Sequence, residues 1–355
     1  MDDKLKLGII GAGGIVAKYH LPNLKKSSDI DVTLISGRKT TRLEFLCSKY
    51  HIPNYTRDYD AVIADPTIDA VLVATPHPLH ASWALKAVRA GKHVLVEKPL
   101  CVEMEEANDL VEAVKSYDAT VLVMPHFTDL YFVLRDLVNK GTVGKISSAR
   151  CRVSHGGPET YYADISKIFG EPTNDDLWFL DPGQAVYGAL FDMGGYAVST
   201  LVALFGSAAR VTAIVKTVDK PTLVEDTAVL LLEFHNGTTA VAETSWCDPA
   251  QSNELNIYGT TGKLVVPDLN KPVLTHIYPT SLVSNSDSTR SRRIKIGRDR
   301  YVSSSVHRHF TQCINKRMQP PLANTYTARH VVEILLAGIT SSREKRAVPI
   351  HTTMQ

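Results

Sequence analysis

The 355-residue sequence lacks the features that mark membrane, secreted or nucleic-acid-binding proteins. No run of consecutive apolar residues approaches the about 18 that a membrane helix needs. The formal net charge is only +2, so no general attraction to nucleic acid or to a lipid surface is expected. The five cysteines are scattered, odd in number and without a Cys-x-x-Cys pair, which favours reduced thiols over a disulfide framework or a zinc site. We expect no signal peptide, no metal and a cytoplasmic location.

Apolar runs of strand length alternate with helical segments in the first third of the chain. Strands are predicted at residues 5–10, 32–35, 70–74, 93–97 and 120–124, and helices at 15–26, 41–50, 81–90 and 104–117. Continuous apolar strands separated by helices are typical of a parallel sheet that is covered on both faces. The pattern predicts an α/β, Rossmann-type domain over residues 1–124.

The remaining residues, 125–355, predict a second domain of a different kind. Longer strands are expected at 146–153, 210–218, 228–234, 239–246, 254–258 and 263–266, and a closing helix at 328–344. Asn236 and Gly237 form a hairpin signal between two of these strands. This domain is therefore predicted to be α+β with a large, mostly antiparallel open sheet. The Ser- and Arg-rich segment 284–300 is predicted to be an exposed loop, with a lid or a subunit contact as the alternative.

A glycine-rich segment follows the first predicted strand. Gly11 suits the tight turn, and Gly13 lets the backbone approach a pyrophosphate. Gly14 and Ile15 begin the next helix, whose N–H groups and dipole favour an anion. Because the strand, the glycine turn and the helix start occur together in a βαβ unit, we predict a dinucleotide site formed by these four residues.

The end of the second predicted strand carries Ser36 and Arg38 at the place where NAD-specific folds have an acidic residue. Arg38 can bind a 2′-phosphate bidentately and Ser36 can donate to it, so NADP(H) is favoured. NAD(H) stays open, because Arg38 could instead stack on its adenine.

Three further segments carry polar residues at characteristic spacings. Residues 93–99 read His-Val-Leu-Val-Glu-Lys-Pro, residues 75–80 read Thr-Pro-His-Pro-Leu-His, and residues 192–196 read Asp-Met-Gly-Gly-Tyr. Together they resemble the Glu-Lys-Pro, Thr-Pro-x-x-x-His and Asp-x-Gly-x-His/Tyr motifs of the Gfo/Idh/MocA oxidoreductases, and the likeness runs nearly end to end. The resemblance implies a Rossmann domain and an open-sheet domain with the active site between them. It also implies a homo-oligomer, a dimer or tetramer, formed through the outer face of that sheet.

The resemblance also implies roles for individual residues. Lys98 is the catalytic lysine, and its peptide bond to Pro99 is expected to be cis. Asp192 holds the substrate or the lysine, and Tyr196 occupies the position of the acid/base histidine of many members. The residues implied to lie against the cofactor are Thr75, Pro76, His80, Glu97 and Lys98.

Spacing supports one of these pairings. Asp192 and Tyr196 are four residues apart on a predicted helical segment, and such residues share a face. A tyrosine ordinarily titrates near pH 10, so we expect the Lys98 ammonium to lower the pKa of Tyr196 if it acts as a base. The alternative is that Tyr196 only packs, with His126, His155 or a water acting as the acid.

Aromatic rings beside polar groups suit the apolar face and the hydroxyls of a sugar. Two departures from the family pattern, His77 and the segment 125–128, lie where substrate contacts are expected, so no particular sugar is implied. His307 and His309, two apart on a predicted helix, point in different directions and are not expected to form a metal pair. The candidate substrate contacts are His126, Arg152, His155, Tyr161, Tyr162, Trp178, Asp181 and Asp192.

The sequence therefore predicts an NADP(H)-preferring oxidoreductase that transfers hydride to or from a sugar, sugar derivative or polyol. Lys98 and Tyr196 would handle the proton and Asp192 would orient the substrate. The alternatives are a non-catalytic dinucleotide-binding regulator of the same fold and an enzyme that cleaves glycosides with transient use of the nicotinamide.

Overall fold

A computed structural model describes residues 4–171, 177–271, 273–279 and 289–354. The chain forms two compact units. Unit 1 comprises Met1–His126, Pro158–Val186 and Ser304–Val332, and unit 2 comprises Phe127–Gly157, Tyr187–Ser303 and Glu333–Gln355. The units therefore differ from a single division at residue 124, because two later segments pack within unit 1.

Unit 1 contains a six-stranded parallel sheet with the order β3-β2-β1-β4-β5-β6, the strand order of dinucleotide-binding folds. Leu72, Leu95 and Ile9 are 0% exposed in the central strands, so the sheet is buried on both faces as predicted. β3 is a polar three-residue strand and was not predicted. The strands are β1 Leu5–Ile10, β2 Ile30–Ser36, β3 Asn54–Thr56, β4 Ala70–Val73, β5 His93–Val96 and β6 Val121–Val123.

Helices connect these strands, and the helix after the glycine-rich segment begins with a π-helical turn, Val16–His20. The first five α-helices are α1 Leu21–Leu24, α2 Thr40–Tyr50, α3 Tyr59–Ala64, α4 His80–Arg89 and α5 Met104–Ser116. The others are α6 Asp129–Asn139, α7 Pro158–Phe169, α8 Pro182–Ala185, α9 Gly195–Phe205, α10 Val306–Asn315 and α11 Thr325–Glu344.

Unit 2 contains a nine-stranded sheet with the order β14-β13-β12-β11-β7-β10-β9-β8-β15. Only the β7–β10 pair is parallel in the described part of this sheet, which confirms the predicted large and mostly antiparallel sheet. The strands are β7 Ile146–Ser154, β8 Ala208–Lys216, β9 Thr227–Phe234, β10 Thr239–Ser245, β11 Ser252–Gly259, β12 Gly262–Val266, β13 Val273–Pro279, β14 Thr289–Lys295 and β15 Val348–Pro349.

The prediction of a loop at 284–300 was wrong for part of that segment. Thr289–Lys295 is β14, an edge strand that pairs antiparallel with β13, whereas residues 284–288 lie outside the described residues. Six of its seven residues are exposed. Because its ladder is made by backbone groups and one edge faces solvent, its side chains carry no burial pattern that would indicate a strand.

One face of this sheet is covered by helices. α9 packs on β7 and β10, and the alternating residues Ala149, Cys151 and Val153 are buried on that side. The helical run Pro182–Phe205 has the length and mean hydropathy of a membrane span, contrary to expectation, but 89% of its most apolar stretch is buried inside the protein. It is therefore typical of a core helix.

Candidate active site

The glycine-rich segment brings the backbones of two loops together. Gly11 has φ +90°, and a Cβ there would lie 2.7 Å from the backbone carbonyl carbon of Ala74 and the backbone nitrogen of Thr75. Both the conformation and the contact therefore require glycine. A Cβ on Gly13 would meet only the Gly11 oxygen, at 3.8 Å. The space beside Gly13 fits the close approach of a pyrophosphate.

The helix start next to this loop is contacted by α7. A Cβ on Gly14 would lie 2.7 Å from the hydroxyl of Tyr161, and the Lys18 ammonium lies 5.2 Å from the centre of the Tyr161 ring. Helix geometry leaves the N–H groups at a helix start, here Gly14 and Ile15, without intrahelical acceptors. The structure thus places Tyr161, a predicted substrate residue, against the predicted pyrophosphate loop.

Of the two cofactor contacts predicted at the end of β2, the one for Ser36 was wrong. Ser36 is 0% exposed and its hydroxyl donates to the Ile9 carbonyl over 2.9 Å. It is therefore not available to a 2′-phosphate. Arg38 is exposed and lies near Tyr59, where its charge opposes the rise that burial causes in the pKa of that phenol.

The loops after β4 and β5 are joined through His80, which is 1% exposed. Its ring nitrogens lie 2.7 Å from the Pro99 carbonyl oxygen and 2.6 Å from that of Thr75. His80 therefore holds the two loops together instead of facing a cofactor as predicted. In the same loop as Pro76, the Thr75 hydroxyl is buried and has no hydrogen-bond partner among the described residues. That orphaned group and the space at Gly13 fit a bound dinucleotide.

Glu97 and Lys98 follow β5, and the Lys98–Pro99 peptide bond is cis, as the resemblance implies. Glu97 is 5% exposed, and its Oε2 accepts the Lys98 N–H over 3.1 Å. Burial alone would raise the pKa of the Glu97 carboxyl, but the hydrogen bond from His20, with the charge of Lys98, holds this pKa below its usual value. The catalytic lysine predicted from the sequence thus follows a buried, ionised carboxylate.

In unit 2, Asp192 lies in a π-helical turn, Leu190–Gly194, that leads into α9. The Trp246 indole N–H donates to Asp192 Oδ2 over 3.0 Å, and His155 Nε2 lies 3.4 Å from the same oxygen. His155 Nδ1 accepts the Gly157 N–H over 2.8 Å, so the proton of a neutral His155 is on Nε2 and points to Asp192. Asp192 is therefore fixed in orientation by two side chains.

Tyr196 follows in the first turn of α9 and is half-buried. The nearby Tyr131 is also half-buried, and burial raises the pKa of Tyr131 to about 12. The Tyr131 hydroxyl lies 3.4 Å from the Thr200 hydroxyl. The Tyr131 phenol therefore has a contact within unit 2, and the acid/base role of Tyr196 stays a prediction.

Other predicted substrate residues have different surroundings. Arg152 lies on the sheet face opposite α9 and makes ion pairs with Glu243 (3.2 Å) and Asp248 (3.4 Å). The prediction of a substrate contact for Arg152 is therefore not supported. Asp181 is exposed and accepts the Gly183 N–H at the start of α8, which is a capping role.

The aromatic candidates lie in unit 1. The Trp178 ring stacks on Phe179 with centroids 3.9 Å apart and meets His77 edge-on at 4.8 Å. Tyr162 is buried, and the His126 ring lies 5.2 Å from that of His309. His126 and Trp178 stay predictions as substrate contacts.

Comparison with known proteins decides the family. A model described as "Oxidoreductase family, NAD-binding Rossmann fold" matches residues 5–124, and one described as "GFO/IDH/MocA C-terminal domain" matches residues 131–265. The chain belongs to the Gfo/Idh/MocA oxidoreductase family. It is therefore an oxidoreductase with a dinucleotide-binding Rossmann domain, as predicted.

Relatives of this oxidoreductase have related activities. Trans-1,2-dihydrobenzene-1,2-diol dehydrogenase of Mus musculus is 27% identical, and the match covers 96% of this chain and 99% of that protein. D-xylose 1-dehydrogenase (NADP(+)) 2 of Haloferax volcanii is 29% identical over 73% of this chain and 75% of that protein. A solved structure of levoglucosan dehydrogenase with NADH and levoglucosan has a TM-score of 0.81 at 20% identity, covering 98% of this chain and 100% of that chain.

Three residues that support the oxidoreductase site were missed in the sequence: His20, Trp246 and Glu225. Trp246 comes at the end of a predicted strand, and only its indole N–H would have indicated a need for a buried acceptor. Glu225 is 9% exposed. Its Oε1 accepts the N–H groups of Gly188 (2.8 Å) and Leu190 (3.2 Å), so it holds the turn that precedes Asp192.

Burial raises the pKa of Glu225 to about 7, and this makes a prediction about stability. The folded chain binds a proton that the unfolded chain releases at lower pH, so this stabilisation is complete below pH ~4.5 and is lost as pH rises through about 7. Glu225→Gln keeps the acceptor oxygen without the charge. Relative to the unchanged chain, we expect Glu225→Gln to increase the free energy of unfolding more at pH 8 than at pH 5, by up to about 3 kcal/mol. Urea denaturation of both proteins at the two pH values measures this difference.

Glu105→Gln, which removes an exposed carboxylate on α5, is the matched control. An equal effect of Glu225→Gln at both pH values would show that the Glu225 carboxyl does not titrate in this range.

Proposed function

We propose that this oxidoreductase prefers NADP(H) and transfers hydride between the nicotinamide and a carbinol or carbonyl carbon of a sugar, sugar derivative or polyol. The observation that carries the proposal is the orientation of Asp192 by Trp246 and His155, four residues before Tyr196 on one helical segment. A carboxylate fixed in this way suits a substrate rich in hydroxyl groups. The diol and D-xylose dehydrogenases among the relatives support this substrate class.

When bound, the nicotinamide gives or takes the hydride. Lys98 donates a hydrogen bond to the substrate oxygen, and its positive charge stabilises negative charge that develops there. The buried carboxylate of Glu97 favours the protonated form of this amine, because an opposite charge nearby favours the charged state.

Tyr196 handles the proton at the same substrate oxygen. In reduction its hydroxyl donates the proton to the new alkoxide, and in oxidation its phenolate accepts the hydroxyl proton. Asp192 accepts a hydrogen bond from a neighbouring substrate hydroxyl and so fixes which carbon is presented.

The cofactor preference rests on Arg38 alone, since the Ser36 hydroxyl is bonded to Ile9. An exposed guanidinium at the end of β2 can pair with a 2′-phosphate. Positions 36–38 read Ser-Gly-Arg, so this segment has no acidic residue that would repel the phosphate. The NADP(+) specificity in the name of the D-xylose dehydrogenase relative supports this preference. NAD(H) is the alternative.

Arg38→Ala should weaken binding of NADPH by at least about 10-fold, because a bidentate, charge-assisted contact is lost, and should change NADH binding far less. Fluorescence titration with both cofactors measures this, and Arg89→Ala, an exposed arginine at the end of α4, is the control. An equal loss for both cofactors would instead show that Arg38 stacks on adenine.

Net turnover tests the activity itself. A screen of sugars and polyols, followed at the absorbance of the reduced nicotinamide, should find a substrate that changes the cofactor steadily. Binding of cofactor without turnover of any substrate would favour a non-catalytic regulator. Glycoside cleavage without net cofactor change would favour an enzyme that cleaves glycosides with transient use of the nicotinamide.

With a substrate in hand, Lys98→Met and Tyr196→Phe should each lower kcat by at least about 100-fold. If both handle the same proton, the double variant should lose much less than the product of the two effects. Tyr131→Phe, which removes the phenolic hydroxyl bonded to Thr200, is the control. Near-normal turnover and an unchanged pH profile in Tyr196→Phe would overturn the assignment of Tyr196.

We further propose a cytoplasmic homo-oligomer formed through the sheet face of unit 2 opposite α9. Ile214 is 67% exposed, Val229 42% and Leu231 45%, and Ile214 pairs directly with Val229 across β8 and β9. These apolar side chains form a patch that suits a second copy of the chain. The five free cysteines support a reducing compartment.

Light scattering at micromolar concentration should give a multiple of the 39.0 kDa chain mass. Leu231→Lys should shift this mass towards the monomer, because it places a charge in the apolar contact. Leu223→Lys is the control, since Leu223 is 90% exposed and lies outside the strands. A monomer mass for the unchanged chain would refute the proposal.

A further inference from the structure

Three buried side chains of unit 1 form a hydrogen-bonded chain that ends next to Lys98. His20 is 0% exposed, His307 1% and Glu97 5%. His20 Nε2 lies 2.9 Å from Glu97 Oε1, and His20 Nδ1 lies 2.9 Å from His307 Nε2. The three residues come from the π-helical turn after the glycine loop, the end of β5 and α10.

Hydrogen bonding fixes where the protons of this chain lie. Glu97 is ionised and accepts, so His20 must carry a proton on Nε2. Burial lowers the pKa of His307 to about 3, so His307 is neutral. The Nδ1 of His20 then accepts from the Nε2–H of His307.

The opposite direction of donation, from His20 to His307, would leave a buried N–H without an acceptor. If His307 Nε2 accepted from His20, the proton of neutral His307 would lie on Nδ1, which is buried and has no partner among the described residues. A buried N–H without an acceptor is destabilising and is rarer than an unsatisfied acceptor. The direction of donation is therefore His307 to His20 to Glu97.

The other oxygen of Glu97 connects this chain to Lys98, whose backbone N–H donates to Oε2 over 3.1 Å. The titratable groups around the chain are Tyr19 and His80 beside Glu97, His80 beside Lys98, and His126 beside His307. Because the far end of the chain, His307 Nδ1, is buried without a partner among the described residues, the chain offers no proton exit there. In the described ranges no group of three or more potential metal ligands occurs either.

We propose that His20 and His307 are positioning residues for Lys98, acting through the carboxylate of Glu97. The proposal rests on the proposed role of Lys98 in catalysis. His307 holds the His20 ring in place by donating to its Nδ1, so that the Nε2–H faces Glu97. That proton keeps Glu97 ionised and fixed, and the carboxylate holds both the Lys98 backbone and the charge of its amine.

The test compares His307→Leu, which removes the donor, with His307→Gln, which keeps an N–H. In His307→Leu the Nδ1 of His20 loses its donor, so the His20 ring is held less firmly and its bond to Glu97 weakens. The negative charge beside Lys98 is then less well stabilised. We expect the labelling midpoint of the Lys98 amine to fall by at least about half a pH unit. Competitive acetylation of the full chain with acetic anhydride, followed by peptide mass spectrometry, measures this midpoint.

We also expect kcat to fall by about tenfold or more in His307→Leu, with its pH profile shifted in the same direction and cofactor KM changed less. His307→Gln should restore the midpoint and most of kcat. His309→Leu is the control, because His309 is a buried histidine of the same helix that makes no part of the His307–His20–Glu97 hydrogen-bond series. It should leave the Lys98 midpoint unchanged.

Unchanged labelling and pH profile in His307→Leu, with only Tm lowered, would show that the histidines merely pack and would overturn the proposal. Failure of His307→Gln to restore the midpoint would also count against it. If His307→Leu does not fold, Glu97→Gln carries the same expectation for labelling. Turnover by Lys98→Met would refute the proposed function, but the labelling result, which needs no substrate, still decides the positioning role.

Discussion

An ionised carboxylate that is almost wholly buried must be compensated where it lies, and Glu97 imposes this constraint on unit 1. His20 and the backbone N–H of Lys98 bond its two oxygens, and His307 supports His20 from a position 287 residues away in the sequence. The glycine loop, the end of β5 and α10 therefore cannot shift independently. The backbone position of Lys98 depends on side chains that need not touch substrate.

Unit 2 also buries a carboxyl group, that of Glu225, but its protonation differs from that of Glu97. Both are buried and both accept hydrogen bonds, yet the pKa is lowered in Glu97 and raised in Glu225. Glu97 has His20 and the Lys98 ammonium nearby. Burial dominates at Glu225, where the partners are backbone N–H groups and the neighbouring Asp226 is acidic. At Glu225 the backbone N–H groups do not offset the effect of burial, whereas at Glu97 the hydrogen bond from His20 and the charge of Lys98 do.

The sequence could predict features whose cause is local. The conformation and close contact of Gly11 require glycine at one position, and continuous apolar strands report burial on both faces. Features with a distant cause were missed or wrong. The Ser36 hydroxyl turns to Ile9, β14 pairs through its backbone without an apolar pattern, and His20 meets His307 only after folding. No spacing rule in the sequence relates such pairs.

Two helices that carry functional residues begin with π-helical turns, Val16–His20 and Leu190–Gly194. Such a turn replaces the usual helical bonds with wider and less favourable ones, so it persists where the resulting side-chain directions are stabilised by other contacts. In the first turn, His20 reaches the Glu97 carboxylate. In the second, Asp192 reaches the Trp246 indole. The polar contacts thus favour a local helix geometry that a regular 3.6-residue period would not predict, and within each unit the same contacts fix the direction of one functional side chain.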